Sequence, residues 1–118
     1  ANEEVVLAGG RRIEYGTTRN VTVADAAPST GTDGQALLGS PTAVLVIKPE
    51  AGATVDVEVH AYITSLNTWV LIRNGTIAGI TDTGFTERLN VAGYDRVFVR
   101  VVSVGGTGAN ITVGRAIL

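Results

Sequence analysis

Two segments of this chain, Thr54-Val55-Asp56-Val57-Glu58-Val59-His60-Ala61-Tyr62-Ile63 and Arg96-Val97-Phe98-Val99-Arg100-Val101, are apolar at nearly every second position. A period of two belongs to a strand with one face on a core and is incompatible with an amphipathic helix. The polar positions carry opposite signs: Asp56 and Glu58 on one segment, Arg96 and Arg100 on the other. As neighbours, the two strands would bring these charges together across the ladder and fix its register. Phe98 interrupts the polar face of its segment, which predicts a central or bulged strand with apolar cover outside.

The remaining segments extend the pattern. Thr42-Ala43-Val44-Leu45-Val46-Ile47 is almost continuously apolar, as expected of a strand covered on both faces. Lys48-Pro49 stops it, and Glu50-Ala51-Gly52 turns the chain into the first alternating segment. Trp69-Val70-Leu71-Ile72-Arg73, Asn74-Gly75 and Thr76-Ile77-Ala78 predict a hairpin, because Asn-Gly supplies both positive-φ residues of a type I′ turn. Shorter strands are expected at Arg12-Ile13-Glu14-Tyr15, Asn20-Val21-Thr22-Val23, residues 86–91 and Asn110-Ile111-Thr112-Val113.

With no helical period anywhere, about eight to ten short antiparallel strands predict an all-β chain. The expected fold is a single β-sandwich, jelly-roll or immunoglobulin-like, with residues 1–118 as one domain. Residues 1–15 read as an N-terminal arm or edge strand. Residues 25–41 read as one long loop of Ala, Ser, Thr, Gly, Asp and Pro, in which Leu37-Leu38 are the only large apolar residues. Loops of this length in compact domains are usually functional or ordered by a partner.

Composition narrows the chemistry. The chain has no cysteine, which excludes disulfides, thiolate catalysis and cysteine-based zinc sites. A net charge of -2 with no basic stripe argues against nucleic acid and anionic membranes as partners. Only one of the nine basic residues is lysine, and arginine suits fixed ion pairs and interfaces. No apolar run approaches the roughly 18 residues of a membrane span, and no leader pattern opens the chain. Ala1-Asn2 reads as a start left by removal of an initiator methionine, so export by a signal peptide is not expected. Asn20-Val21-Thr22, Asn74-Gly75-Thr76 and Asn110-Ile111-Thr112 match the glycosylation pattern, as a threonine-rich β protein does by chance.

Asp82-Thr83-Gly84 has the form of the catalytic turn of aspartic proteases, in which two such carboxylates share a proton. Phe85 stands where a small residue is expected after the motif, and too little chain follows for a flap and core. Asp82 is expected to serve a turn. His60, the only histidine, falls on the face of Asp56 and Glu58, but no Gly-X-Ser-X-Gly elbow supplies a nucleophile. Gly105-Gly106-Thr107-Gly108 has neither a lysine nor a following helix, so it reads as a turn rather than a phosphate cradle. No catalytic residue, metal or cofactor is expected. Trp69, Tyr62 and Tyr94 could form a stacking platform for a sugar, which keeps a carbohydrate-binding module of a phage fibre or secreted enzyme as the rival function.

The second half resembles a small β-sandwich found among virion proteins of tailed bacteriophages. The resemblance covers roughly residues 54–115: a strand with Asn67-Thr68-Trp69-Val70-Leu71, then Gly93-Tyr94-Asp95-Arg96-Val97-Phe98-Val99-Arg100-Val101, a glycine-rich turn and a closing strand. It implies a non-enzymatic capsid decoration, or cement, protein on the capsid surface. Such a protein binds the major capsid protein or another virion protein between capsomers, commonly as a homotrimer. Glu3, Glu4, Arg11 and Arg12 near the start, and Leu37 and Leu38 in the long loop, are the expected partner-binding residues. The first four could support strand addition to a neighbour, and the two leucines would act as apolar anchors.

Overall fold

The computed structural model describes residues 12–72 and 77–117, and Glu3, Glu4, Arg11 and the Asn74-Gly75 turn lie outside them. Among the described residues, ten strands form two antiparallel five-stranded sheets packed face to face. They are β1 (Arg12–Tyr15), β2 (Arg19–Val21), β3 (Gln35–Ala36), β4 (Thr42–Pro49), β5 (Thr54–Ile63), β6 (Thr68–Leu71), β7 (Ile77–Ile80), β8 (Phe85–Asn90), β9 (Arg96–Gly105) and β10 (Ala109–Ile117). One sheet runs β3-β9-β5-β6, with β7 also on β5; the other runs β1-β10-β4-β8, with β2 also on β10. The fold is the expected all-β sandwich.

The alternation sorts the side chains. Val55, Val57, Val59 and Ala61 of β5 and Val97, Val99 and Val101 of β9 point inward and are buried. They meet Ala43, Leu45 and Ile47 of β4 and Ala109 and Ile111 of β10 from the other sheet. Burying one such Val or Leu side chain stabilises by about 1.5–3 kcal/mol, so this shared seam dominates the fold. On β4 the outer face is also largely covered, with Val44 buried and Val46 half-buried between β10 and β8. Phe98 sits on the outer face of β9, a central strand with a bulge between Val101 and Ser103, as its position in the pattern predicts.

Two expectations are corrected. The predicted hairpin would lay β6 and β7 side by side. Instead they lie end to end on the same edge of β5: Leu71 faces His60, Ile77 faces Val57 and Ile80 faces Val55. Strand β5 is ten residues long and can hold both. The Ile72 N–H donates to the Val59 carbonyl at 3.1 Å, which keeps the chain on that edge past β6. Strands β1 and β2 repeat the arrangement along β10, separated by Gly16-Thr17-Thr18.

The second correction concerns residues 25–41, which are not one irregular loop. They contain β3, which pairs with Arg96 and Val97. Leu37 follows, fully buried in the core with its N–H on the Asp95 carbonyl at 3.0 Å. A side chain with no exposed surface offers nothing to a partner, so Leu37 is a core residue rather than an anchor.

Candidate functional site

One end of the sandwich gathers the start of β1, the ends of β8 and β10, the start of β9 and the end of β5. Arg12 pairs with Ile117, Thr42 with Asn90 and Arg96 with Tyr62. The β3–β4 turn closes on this end, with the Ser40 N–H on the Leu37 carbonyl at 3.0 Å and the Val91 N–H on the Pro41 carbonyl at 2.8 Å. Its two central residues, Leu38 and Gly39, both have positive φ, 51° and 83°. Glycine and asparagine tolerate that conformation; a leucine there is disfavoured by about 1–2 kcal/mol. Leu38 is nevertheless 74 % exposed, so burial does not offset its backbone. Leu66, in the 3-10 turn Thr64–Leu66 at the same end, is 67 % exposed. Arg12 is exposed where the chain enters β1. Of the expected partner-binding residues, Arg12 and Leu38 share this end, Leu37 is behind it in the core, and Glu3, Glu4 and Arg11 are outside the described residues.

The charged outer face of β5 and β9 is half as expected. Glu58 and Arg100 are direct cross-strand partners, with Arg100 Nη1 at 3.3 Å from Glu58 Oε1. The His60 Nε2 is 3.2 Å from the same oxygen. A partly exposed pair of this kind contributes about 0.2–1 kcal/mol. Asp56 does not face an arginine. The bulge after Val101 shifts the register, so Asp56 lies opposite Ser103 and accepts from the Ser103 hydroxyl and the Gly79 N–H, each at 2.8 Å. Arg96 donates instead to the carbonyls of Thr32, Asp33 and Gly34 at 3.2, 2.7 and 2.9 Å.

Those carbonyls belong to a strap, residues 29–34, laid over the aromatic part of this face. The Asp33 carboxylate accepts from the Ser29 and Thr30 N–H groups, both at 2.9 Å, and the Trp69 Nε1–H donates to the Thr30 carbonyl at 2.9 Å. A Cβ at Gly31 would stand 2.9 Å from the Tyr62 hydroxyl, so the strap fits closely only with glycine there. Tyr62 and Trp69 have ring centroids 5.1 Å apart, and the Phe98 ring meets Trp69 edge-on at 6.5 Å. Tyr94 packs against the core instead. The three rings expected to form a sugar platform are therefore not presented together; Tyr62 is buried and Tyr94 is elsewhere.

Two carboxylates are held below the usual value of 3.8: Asp33 by the N–H groups of Thr30 and then Ser29, and Asp56 by the Gly79 N–H and then the Ser103 hydroxyl. A carboxylate depressed on folding adds stability that is complete above its unfolded pKa and lost as pH falls through its folded one. We expect a flat melting temperature from about pH 7 to about pH 5 and a decline below about pH 4. Asp33→Asn and Asp56→Asn should each flatten that decline in thermal scans across the range. A decline of wild-type steepness in both variants would show that other groups control acid unfolding.

Sequence reasoning did not single out Arg19 and Asp25. Asp25 seals the edge of β9 beyond β3: its N–H donates to the Val101 carbonyl at 2.8 Å and its carboxylate accepts from the Val101 N–H at 2.9 Å. Arg19 pairs with that carboxylate through both terminal nitrogens, at 3.1 and 3.0 Å, and donates to the Val99 carbonyl at 2.9 Å. No local motif marks the pair, because the strand edge it covers lies 75 to 80 residues later in the chain.

Asp82 stands in an exposed turn. The Gly84 N–H closes it on the Thr81 carbonyl at 2.9 Å, with Gly84 at φ 97°. The Asp82 carboxylate accepts from the Gly52 N–H at 2.7 Å, and its carbonyl accepts from the Lys48 Nζ. Asn keeps an acceptor in that place. We expect Asp82→Asn to melt within about 1 kcal/mol of wild type, the scale of one net hydrogen bond. Acid peptide hydrolysis by the wild type that this change abolishes would make Asp82 a catalyst. Among the described residues no group of three or more His, Asp or Glu side chains converges in a way that could hold a metal ion.

No protein-family model, curated protein or solved structure matches the chain.

Proposed function

We propose that this protein is a non-enzymatic virion structural protein, a decoration or cement protein on the capsid surface of a tailed bacteriophage. In this reading it is a homo-oligomer, a trimer for preference, that binds the major capsid protein between capsomers and contacts neither nucleic acid nor membrane. The observation that carries the reading is Leu38, an exposed leucine held in a backbone conformation that disfavours it. Neither folding nor burial accounts for a leucine at that position, and local strain of this kind tends to accumulate where a surface serves a partner. Leu66 and Arg12 lie at the same end, and the segment with Glu3, Glu4 and Arg11 joins the fold there through Arg12. An exposed apolar knob with an exposed arginine beside it is the arrangement of a docking end. The glycan rival draws no comparable support, because its three rings are not gathered on an exposed face.

The test is cosedimentation with empty shells assembled from the major capsid protein of the phage that encodes the chain. Cement binding predicts saturation at a fixed number of copies per capsomer and a discrete oligomer by light scattering. Failure to pellet with the shells, together with retention on an oligosaccharide array, would replace the reading by the carbohydrate one.

A further inference from the structure

Two turns at the docking end each carry an exposed leucine, and one residue holds both. The Leu37 N–H donates to the Asp95 carbonyl at 3.0 Å, immediately before Leu38. The Thr64 N–H donates to the Asp95 carboxylate at 2.7 Å, at the start of the 3-10 turn that carries Leu66. Asn67, with φ 49°, fixes the other end of that turn: its N–H donates to the Thr64 carbonyl at 3.0 Å, and its side-chain oxygen accepts from the Tyr62 hydroxyl at 2.6 Å. Asp95 is itself tied to β5, through its N–H on the Tyr62 carbonyl at 2.9 Å. Leu38 and Leu66 thus come from separate connections, β3–β4 and β5–β6, yet both are referenced to the residue that precedes β9. Exposed apolar residues scattered singly need no explanation; a pair fixed by one anchor is a different case.

We propose that Leu38 and Leu66 are the two points of a single apolar contact with the shell protein, and that Asp95 is the positioning residue that sets their spacing. The inference rests on the proposed attachment to a virion protein and names the contact surface and its complement. The Asp95 backbone holds the Leu38 turn and its side chain holds the Leu66 turn, so the two points can be disturbed separately. Charge selects the occupant. Asp95 is exposed and is bonded to both leucine turns. A second copy docked isologously would set the same patch against itself. Leu38 of one copy on Leu66 of the other would then bring two Asp95 carboxylates face to face, and like charges so placed are destabilising. An apolar strip of a different chain, with no acid between its two contact points, meets no such conflict. Both leucines are mostly exposed in the free protein, so covering them removes apolar surface from water at each point.

The test is cosedimentation of variants with empty shells assembled from the major capsid protein, with light scattering and thermal melting of each variant alone. Leu66→Ala should lower shell affinity about tenfold, the scale of a leucine's apolar surface returned to water, at an unchanged melting temperature. Asp95→Ala removes the acceptor of the Thr64 N–H and should lower affinity by a similar factor. Asp95→Asn keeps an acceptor oxygen there and should stay within about threefold of wild type. In the Asp95→Ala background, Leu66→Ala should cost less than about twofold, because its turn is no longer held, whereas Leu38→Ala should keep its full effect. Amide exchange at Thr64 should rise in Asp95→Ala and not in Asp95→Asn. Equal costs of Leu66→Ala in the wild-type and Asp95→Ala backgrounds would overturn the positioning role. Full shell binding by Leu66→Ala would overturn the two-point contact while leaving the proposed function standing. Dissociation of the oligomer by Leu66→Ala would assign the leucines to a contact between copies and overturn the occupant. Leu66→Ala changes no core residue, so it decides the contact even if Asp95→Ala unfolds. A wild type that does not pellet with the shells would overturn the functional reading, and this contact with it.

Discussion

A chain lacking residues 1–10 is expected to melt as a folded β domain yet bind capsid shells about 10²–10⁴-fold more weakly than the full chain. All ten described strands begin at or after Arg12, so the deletion removes none of the sandwich seen here. The removed segment contains Glu3 and Glu4 and the apolar run Val5-Val6-Leu7-Ala8, which suits strand addition to a neighbouring protein. The expected size of the loss follows from multivalency: in the proposed oligomer each copy would bind weakly through this segment, several copies would act at high effective concentration, and the deletion would remove all of them together. Circular dichroism and melting establish the fold, and cosedimentation measures attachment. Unfolding of the truncated chain would assign the segment to the core, and undiminished binding would move attachment to another surface.

The second large effect separates two adjacent leucines. Leu37→Ala should destabilise the fold by about 2–5 kcal/mol, the range for truncating a fully buried leucine at a site that relaxes only in part. Leu38→Asn should do the opposite. Asparagine is at home in a positive-φ turn position, so relief of the disfavoured backbone should stabilise by up to about 1–2 kcal/mol. The same change should weaken shell binding, because it removes the exposed apolar knob. Denaturant midpoints with unchanged m-values would read both effects as stability. A Leu38→Asn variant that is less stable than wild type, or that decorates shells normally, would remove the main support for the docking end.

The contrast between these leucines marks where the sequence ceases to inform. Val55 to Ala61 and Val97 to Val101 announce their inward faces by alternation, and the Glu58–Arg100 pair follows from the same period. Asp56 meets no arginine because the two acids stand two residues apart and the two arginines four: with Glu58 opposite Arg100, position 56 falls beyond Arg100, and the bulge then sets it opposite Ser103. The Asn74-Gly75 signal is local, whereas the position of β7 is decided by the free length of β5, a property of another part of the chain. Leu37 and Leu38 are chemically identical. Only the β3 pairing with β9, sixty residues away, turns one inward and leaves the other outside.

The end-to-end placement of β1 with β2, and of β6 with β7, bears on how the molecule behaves when crowded. An uninterrupted exposed edge is a template on which another copy can grow as a strand. Here β1–β2 is broken at Gly16-Thr17-Thr18, β6 and β7 are separate pieces on β5, and β3 has only two residues before Asp25 closes the edge of β9. The remaining edge, β8, is six residues long and carries Glu87 on its inward-facing side, opposite Leu45. A charge so placed resists the flat pairing that fibres require. Among the described strands, therefore, each edge is interrupted, short or charged, so crowded copies meet no long flat edge of the kind on which an open-ended β-sheet polymer grows.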